Sequence, residues 1–450
     1  MEQFRNFYIE KPFFNRETLK ASFNFSLDEK RFFTEEIDFT CDNSEVSNNL
    51  DNFDIDVILS HISLAIAISY YKTALCDNIV IKDFSLSLED ELFWKSFYIN
   101  WLWEYLYSNN LSIKNKFNFI YNSDKILPKI NFKTSQKALI PIWWWKDSIL
   151  SIELFKKAWI DFNTFTFWKD YEMHKIFSSK VGADRLIVHR KMSDELFAMN
   201  KEWYYNWHIP ITWLIAFVSI FVSYLYWFRY VSLSNEKSAD FWNTEYEWIE
   251  VNHQWSKSLD FEKQFSSYVE RNMSSEYKYF SLLRWFYEAR IVKEVCNYKQ
   301  YFWYFSSCNN NFKIVEKWNT SNKKWCLNCP KCAFVFALFR PYLSDSEVIE
   351  IFWWDMYSDP SQENVFRELL GISWIKPFEC VWTQEEVIIS MFMALDKYDE
   401  LPFILSIFKK EIVDNHHLDY FKSIESKIFK IYDDDNIPDN IKKITSIYEQ

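Results

Sequence analysis

Glycine is what this sequence most conspicuously lacks. At the usual share of about 7%, a chain of this length holds roughly 30 glycines, yet these 450 residues hold 2. Taken literally, that scarcity excludes left-handed turns and loops that cradle phosphate with bare backbone, because both need a residue without a Cβ. Tryptophan stands at 23, and the two residue types together approach an ordinary glycine count. Many tryptophans also occupy positions that suit glycine. Trp207 follows Asn206, Trp159 follows the helical run ending KKA as a C′ cap would, and Trp353 and Trp354 precede Asp355. The pattern implies that most of these codons are read as glycine in the source cell, as happens when a UGA stop codon is reassigned.

Other absences narrow the function. With a net charge of −12 and no basic stripe, the chain is expected to bind no nucleic acid. The start, MEQFRNFYIEKPFF, is charged throughout and has no uninterrupted apolar core, so it is not a secretory signal. A cytoplasmic protein is expected, its eight cysteines serving as thiols or metal ligands rather than disulfides. One uncharged run, Ile209 to Phe228, has the length of a membrane span. Its Ser and Thr content, Pro210 and the strand-like RYVSLS beyond favour a helix buried between layers, so no membrane span is expected.

The residues up to about 45 alternate apolar and polar, as in an antiparallel sheet, and helical spacing follows over Ile55–Ala74 and Leu88–Tyr107. Residues 1–133 thus form a small α+β domain. From 134 to 340 strand and helix patterns alternate, with candidate strands at Ala138–Ile142, Asp161–Phe167, Arg185–His189 and Tyr230–Ser234. That order predicts an α/β domain, a parallel sheet with helices on both faces, whose ligands bind beyond the C-terminal strand ends. Lys146–Ser148, His189–Arg190 and Ser234–Ser238 share that rim. Residues 341–450 read as a helical C-terminal region with one irregular insert, GISWIKPFECVWT, around Glu379 and Cys380.

The stretch ALIPIWWWKDS, residues 138–148, carries the chemistry. A strand, a tight turn and a helix start make a phosphate site, since helix N-termini offer free N–H groups and a positive dipole end. Three indoles, Trp143, Trp144 and Trp145, would block it. With glycine restored the turn reads GGGKDS and resembles the SGGxDS loop of the PP-loop ATP pyrophosphatases, of the adenine nucleotide α-hydrolase-like fold. Lys146 then neutralises phosphate charge, Ser148 donates a hydrogen bond, and Asp147 organises the turn or Mg2+. The family's leading serine is Trp143 here, which puts one hydroxyl contact in doubt. Four cysteines, Cys308, Cys326, Cys329 and Cys332, have the number and spacing of a tetrahedral zinc site. Similar clusters occur in PP-loop relatives that make deazapurine nitriles; redox-active or plain core thiols remain alternatives. Asn235 and Glu236 directly follow a strand, a usual position for site residues. His208 and His253 lie in polar clusters, whereas lone histidines such as His174 and His189 read as structural.

Taken together, GGGKDS, NGHIPIT, SNEKSA…GNTEY, NHQWSKS, CxxCPKC and LLGISGIKPFECVGT, with glycine restored at Trp positions except in NHQWSKS, resemble one family. They are similar to the ATP-dependent UDP-N-acetylmuramoyl-L-alanyl-L-glutamate epimerases of peptidoglycan synthesis, over most of the chain. The resemblance implies inversion of the terminal L-Glu of UDP-MurNAc-L-Ala-L-Glu to D-Glu, with ATP and Mg2+ consumed to AMP and pyrophosphate. Proton transfer at the α-carbon needs tunable groups reaching both faces; Cys380 with Glu379, then His208 and His253, are the candidates. A different PP-loop enzyme, an amide ligase or thiolase acting on a small carboxylate, is the alternative. Taken as printed, the tryptophans would instead imply a non-catalytic or membrane-anchored chain.

Overall fold

The computed structural model describes residues 3–444 apart from 42–44, 48–49, 110, 112–115, 143–145, 169–171, 206–210, 242–243, 247–248, 252–254, 309–323 and 373–382. Four strands open the chain: β1 (Asn6–Ile9), β2 (Phe13–Asn15), β3 (Lys20–Leu27) and β4 (Arg31–Asp38). They pair antiparallel, as their alternation predicts, with Ala21, Phe23, Phe25 and Leu27 turned inward. Helix α1 (Asn52–Tyr71) starts at Asp51, whose carboxylate accepts the N–H of Phe53, and leads to β5 (Asn78–Ile81), α2 (Leu88–Ser108) and β6 (Asn118–Tyr121).

The expected strand and helix alternation follows. It comprises β7 (Lys137–Pro141), α3 (Lys146–Lys157), β8 (Phe162–Trp168), α4 (Glu172–Val181), β9 (Arg185–Lys191), α5 (Asp194–Lys201), α6 (Thr212–Tyr226) and β10 (Phe228–Leu233). A two-stranded ribbon, β11 (Thr244–Tyr246) with β12 (Ile249–Val251), precedes α7 (Leu259–Asn272), β13 (Lys278–Ser281) and α8 (Glu288–Val295). The short strand β13 had no sequence expectation. The remainder is helical: α9 (Pro330–Phe339), α10 (Asp345–Phe352), α11 (Glu363–Leu369), α12 (Gln384–Ala394), α13 (Phe403–Glu411), α14 (Leu418–Ile428) and α15 (Asp439–Lys442).

One sheet runs through both the N-terminal and central parts in the order β13-β10-β7-β8-β9-β4-β3-β1-β5-β6, with β2 on β3. From β13 to β9 every pairing is parallel; β9 then meets β4 antiparallel, Asp38 opposite His189. A buried ion pair secures this seam. Arg190 holds Glu35 through Nε at 2.7 Å and a terminal nitrogen at 2.9 Å, and the Tyr70 hydroxyl donates to the same carboxylate. Arg190 lies at the expected rim, but its guanidinium is committed to this seam.

Successive strand residues face opposite sides, so the sheet separates two cores. Leu139, Val231 and Tyr279 pack with α1, α2, α6 and α7, whereas Ala138, Ile140, Tyr230 and Phe280 pack with α3, α8 and the C-terminal helices. Helices therefore cover both faces. The uncharged run at 209–228 supplies α6, whose residues from Trp213 to Tyr226 are buried in the first core. Among the described residues one helix, α1, is long and apolar enough to cross a membrane, and 83% of its apolar window is packed inside the protein.

Five of the eleven non-glycine residues with positive φ among those described are tryptophans: Trp159, Trp168, Trp203, Trp227 and Trp353. Trp227 and Trp353 occupy the left-handed caps that end α6 and α10, where glycine is the usual residue. Trp159 and Trp203 are 94% and 86% exposed. Both printed glycines, Gly182 and Gly371, also have positive φ. Other tryptophans are built in as indoles. Trp94, Trp255 and Trp285 donate their ring N–H to Tyr268, Asp260 and Asp435.

Candidate active site

In the parallel part of the sheet the chain runs from β7 to β8 and β9 on one side, then crosses to β10 and β13 on the other. The crevice at the C-terminal ends of β7 and β10 is thus the topological switch point, where such sheets bind ligands. Three exits converge there. The chain leaves β7 into α3 at Lys146, leaves β10 through Ser234–Glu236, and leaves β13 through a turn into α8 at Glu288. The hydroxyls of Ser151 and Ser234, 2.7 Å apart, tie α3 to the end of β10. The N–H of Lys237 donates to the Phe286 carbonyl at 2.9 Å and joins the second exit to the third.

The convergence concentrates buried charge. Lys146, with no exposed surface, donates to Asp147 at 2.8 Å and to Oε1 of Glu288. The same Oε1 accepts a hydrogen bond from Lys331 of α9 at 3.2 Å. Burial alone would lower the Lys146 pKa, but Asp147 and Glu288 outweigh it and hold the ammonium charged. Burial likewise pushes Glu288 up, and Lys146 with Lys331 more than offsets it, so this carboxyl stays below its ordinary range.

Two further carboxyls go the other way. Burial, then the charges of Glu288 and Asp147, pushes Glu236 up to about 8 against the pull of Lys257 and Lys146. Burial and Glu288 push Glu386 up to about 7, although the N–H groups of Ala289 and Thr383 favour its anion. Glu386 also caps α12 reciprocally with Thr383. Ser238 bridges two of the acids, accepting from the Glu288 N–H and donating to Glu386, each at 3.4 Å. Arg284 lies beneath, fully buried, donating to the carbonyls of Glu236 and Lys257 and to the carboxylates of Glu262 and Asp240. The result is a buried site with paired lysines and carboxyls that change charge near neutrality, a combination suited to binding phosphate and moving protons.

Beside it, the sulfurs of Cys308, Cys326, Cys329 and Cys332 all lie within 4.8 Å of one another, and three of the four residues are buried. Cys329 is the N-cap of α9, Pro330 its first residue, and Cys332 sits on its first turn. The S–H groups of the other three cysteines hold the Cys326 thiol below its ordinary range. Four converging sulfurs match the donor set of a closed zinc site.

Of the residues expected from the sequence, the structure brings Lys146, Asp147, Ser148, Asn235 and Glu236 to the crevice, all of them buried. Trp143, Trp144, Trp145, His208, His253, Glu379 and Cys380 lie outside the described residues. His174 is buried on α4, and His189 is exposed on β9. Sequence reasoning missed Glu288, Lys331, Glu386, Lys257 and Arg284. Two of them carried a visible signal, Lys331 in its place inside the CPKC spacing and Lys257 in NHQWSKS.

Fold and site together define an α/β enzyme with a buried acid and base cluster at the switch point of its sheet. Sequence comparison makes the family specific. The model of the MurL N-terminal domain matches residues 1–282, and that of the MurL C-terminal domain matches residues 304–418. Relatives named UDP-N-acetyl-alpha-D-muramoyl-L-alanyl-L-glutamate epimerase include that of Xanthomonas oryzae pv. oryzae, 32% identical over 323 residues, covering 72% of this chain and 71% of that protein. The protein of Salinispora tropica is 29% identical over 335 residues, or 74% and 72% of the two chains, and that of Micromonospora sp. 29% over 353 residues, or 78% of each. The chain belongs to the MurL family.

Proposed function

We propose that this protein inverts the terminal L-glutamate of UDP-MurNAc-L-Ala-L-Glu to D-glutamate for peptidoglycan precursor synthesis in the cytoplasm, and that ATP drives the inversion. The relatives' shared name supports the substrate, and membership of their family disfavours an amide ligase or thiolase. Chemistry supports the use of ATP. An α-proton beside a carboxylate is hard to remove because the product dianion is poorly stabilised, whereas beside an acyl-adenylate it is far more acidic. The glutamate α-carboxylate attacks ATP, pyrophosphate leaves, the α-proton is removed and returned, and hydrolysis gives the free acid and AMP. Cyclisation onto the neighbouring amide, giving an oxazolone, would acidify the proton further.

The observation that carries the nucleotide reading is Lys146, buried and charged on the first turn of the helix that follows β7 at the switch point. With Asp147, Ser148, Asn235 and Glu236 it forms the phosphate and Mg2+ side of a PP-loop site. That site also requires glycine at 143–145, so the reading includes glycine there in the protein made by the source cell. The five left-handed tryptophans support the same decoding elsewhere. The four cysteines fit a structural zinc, which would fix α9 against the site. Cys380, Glu379, His208 and His253 are proposed for proton transfer.

The test is incubation of the protein purified from its source cell with the dipeptide substrate and ATP in D2O. Inverted glutamate with deuterium at the α-carbon, together with AMP and pyrophosphate, is the expected outcome. Unchanged glutamate chirality, or inversion that proceeds without ATP, would refute the reading.

A further inference from the structure

Glu288 holds two lysines on one oxygen. Its Oε1 accepts from both Lys146 and Lys331, while the buried Oε2 has no hydrogen-bond partner among the described residues. Asp147 adds a further carboxylate beside it, and the negative charge of Glu288 helps to keep the neighbouring Glu236 and Glu386 protonated. In this arrangement Lys146 is not free for phosphate, because it serves as a counter-ion of Glu288. If Lys146 turned away and nothing held the charge in its place, an unpaired carboxylate would remain buried, which is strongly unfavourable.

Lys331 supplies the replacement. It sits between Cys329, the N-cap of α9, and Cys332 on the first turn, so the sulfur cluster fixes its backbone on both sides. Its ammonium also lies over the Phe334 ring at 5.0 Å, which helps to hold the side chain toward Glu288. We propose that Lys331 is a positioning residue for the nucleotide site: it keeps Glu288 neutralised while Lys146 moves from Glu288 to the ATP phosphates. The thiol cluster thereby acts on phosphate binding through one lysine and one glutamate. This rests on the nucleotide reading above.

Calorimetric binding of ATP and of AMP to the full-length protein tests it, with Lys331→Met, Lys331→Arg, Glu288→Gln and the Lys331→Met/Glu288→Gln double variant. Lys146 can meet the phosphates that become pyrophosphate, so Lys331→Met should weaken ATP by about 10-fold or more and AMP by less than about 2-fold. Lys331→Arg should restore most of the loss. In the Glu288→Gln background, where no carboxylate needs neutralising, Lys331→Met should add less than about 2-fold. Glu288→Gln, which keeps the shape of the site, carries the test if Lys331→Met does not fold. It should bind ATP no more weakly than the unaltered protein. ATP affinity unchanged by Lys331→Met, equal losses of ATP and AMP, a full penalty persisting beside Glu288→Gln, or weakened ATP binding by Glu288→Gln alone would each overturn the proposal. Failure of the unaltered protein to bind ATP would instead refute the nucleotide reading itself.

Discussion

Replacing Trp159, Trp203, Trp227 and Trp353 together by glycine should stabilise the protein, although it deletes four of the largest side chains. Each has φ between 56° and 66°. A residue with a Cβ pays roughly 1–2 kcal/mol there, and the looser unfolded chain that glycine brings returns about 0.4–1 kcal/mol of that gain. The net is about 0.5–1 kcal/mol per site, or roughly 2–4 kcal/mol for four. Little packing is lost at Trp159 and Trp203, which are almost fully exposed. With an unfolding entropy of about 2.1 cal/mol/K per residue, the midpoint should rise by roughly 2–4 °C. Thermal unfolding of the recombinant tryptophan-containing protein against the fourfold variant measures it. The control is Trp94→Gly: from α2 this ring stacks on Phe217 of α6 and donates to Tyr268 of α7, so its loss should cost roughly 3–5 kcal/mol. A fourfold variant that melts lower than its parent would refute the conformational argument. Intact mass of the source-made protein corresponding to 23 tryptophans would refute the decoding.

Three further outcomes follow from the site. Glu236 moves from an ordinary 4.5 to about 8 on folding, so between those values the folded state binds a proton that the unfolded state does not, and stability falls as pH rises through about 8. The unfolding midpoint should therefore drop between pH 6.5 and 8, and Glu236→Gln should flatten that slope; comparison with the variant separates it from Glu386, which is raised to about 7 and acts in the same direction. Elemental analysis should find about one zinc per chain, and Cys329→Ser should lower both zinc content and the unfolding midpoint; a metal-free protein with four titratable thiols would contradict this. Lys146→Met should reduce ATP-dependent deuterium exchange at glutamate by about 100-fold or more, measured by mass spectrometry. In the same assay Cys380→Ala exchanging at the unaltered rate would remove Cys380 from the proton-transfer candidates.

What could be read from the sequence divides along physical lines. The strands β7 to β10 were visible because buried parallel strands are short apolar runs between helical patterns, and the glycine-like positions of Trp159 and Trp353 because a helix must stop somewhere, whereas the left-handed cap at Trp227 was hidden inside an uncharged run. Strand β13 was not, since KYFS is four residues long and begins with a lysine. The expectation of a phosphate turn arose only once the tryptophans at 143–145 were questioned, and those residues lie outside the described ones. Glu288 was hidden for a different reason. In sequence a buried glutamate looks like any solvated one, and what identifies it is Lys146, 142 positions away. The same holds for Arg284 and Glu386, whose partners come from other elements. Local pattern shows where a strand ends, and only the fold shows which charges meet there.

The seam between β9 and β4 bears on how the crevice can open. Three residue pairs, Glu36 with Lys191, Ile37 with Arg190 and Asp38 with His189, join the two halves of the sheet, and the buried Arg190–Glu35 ion pair locks them into one plate. Access to the far end of that plate must come from parts not woven into it. Helices α9 and α12, which carry Lys331 and Glu386, touch the crevice through side chains rather than through the ladder. They are a wall set against that plate by packed side chains and ion pairs, so substitutions there can reshape the site without breaking the sheet.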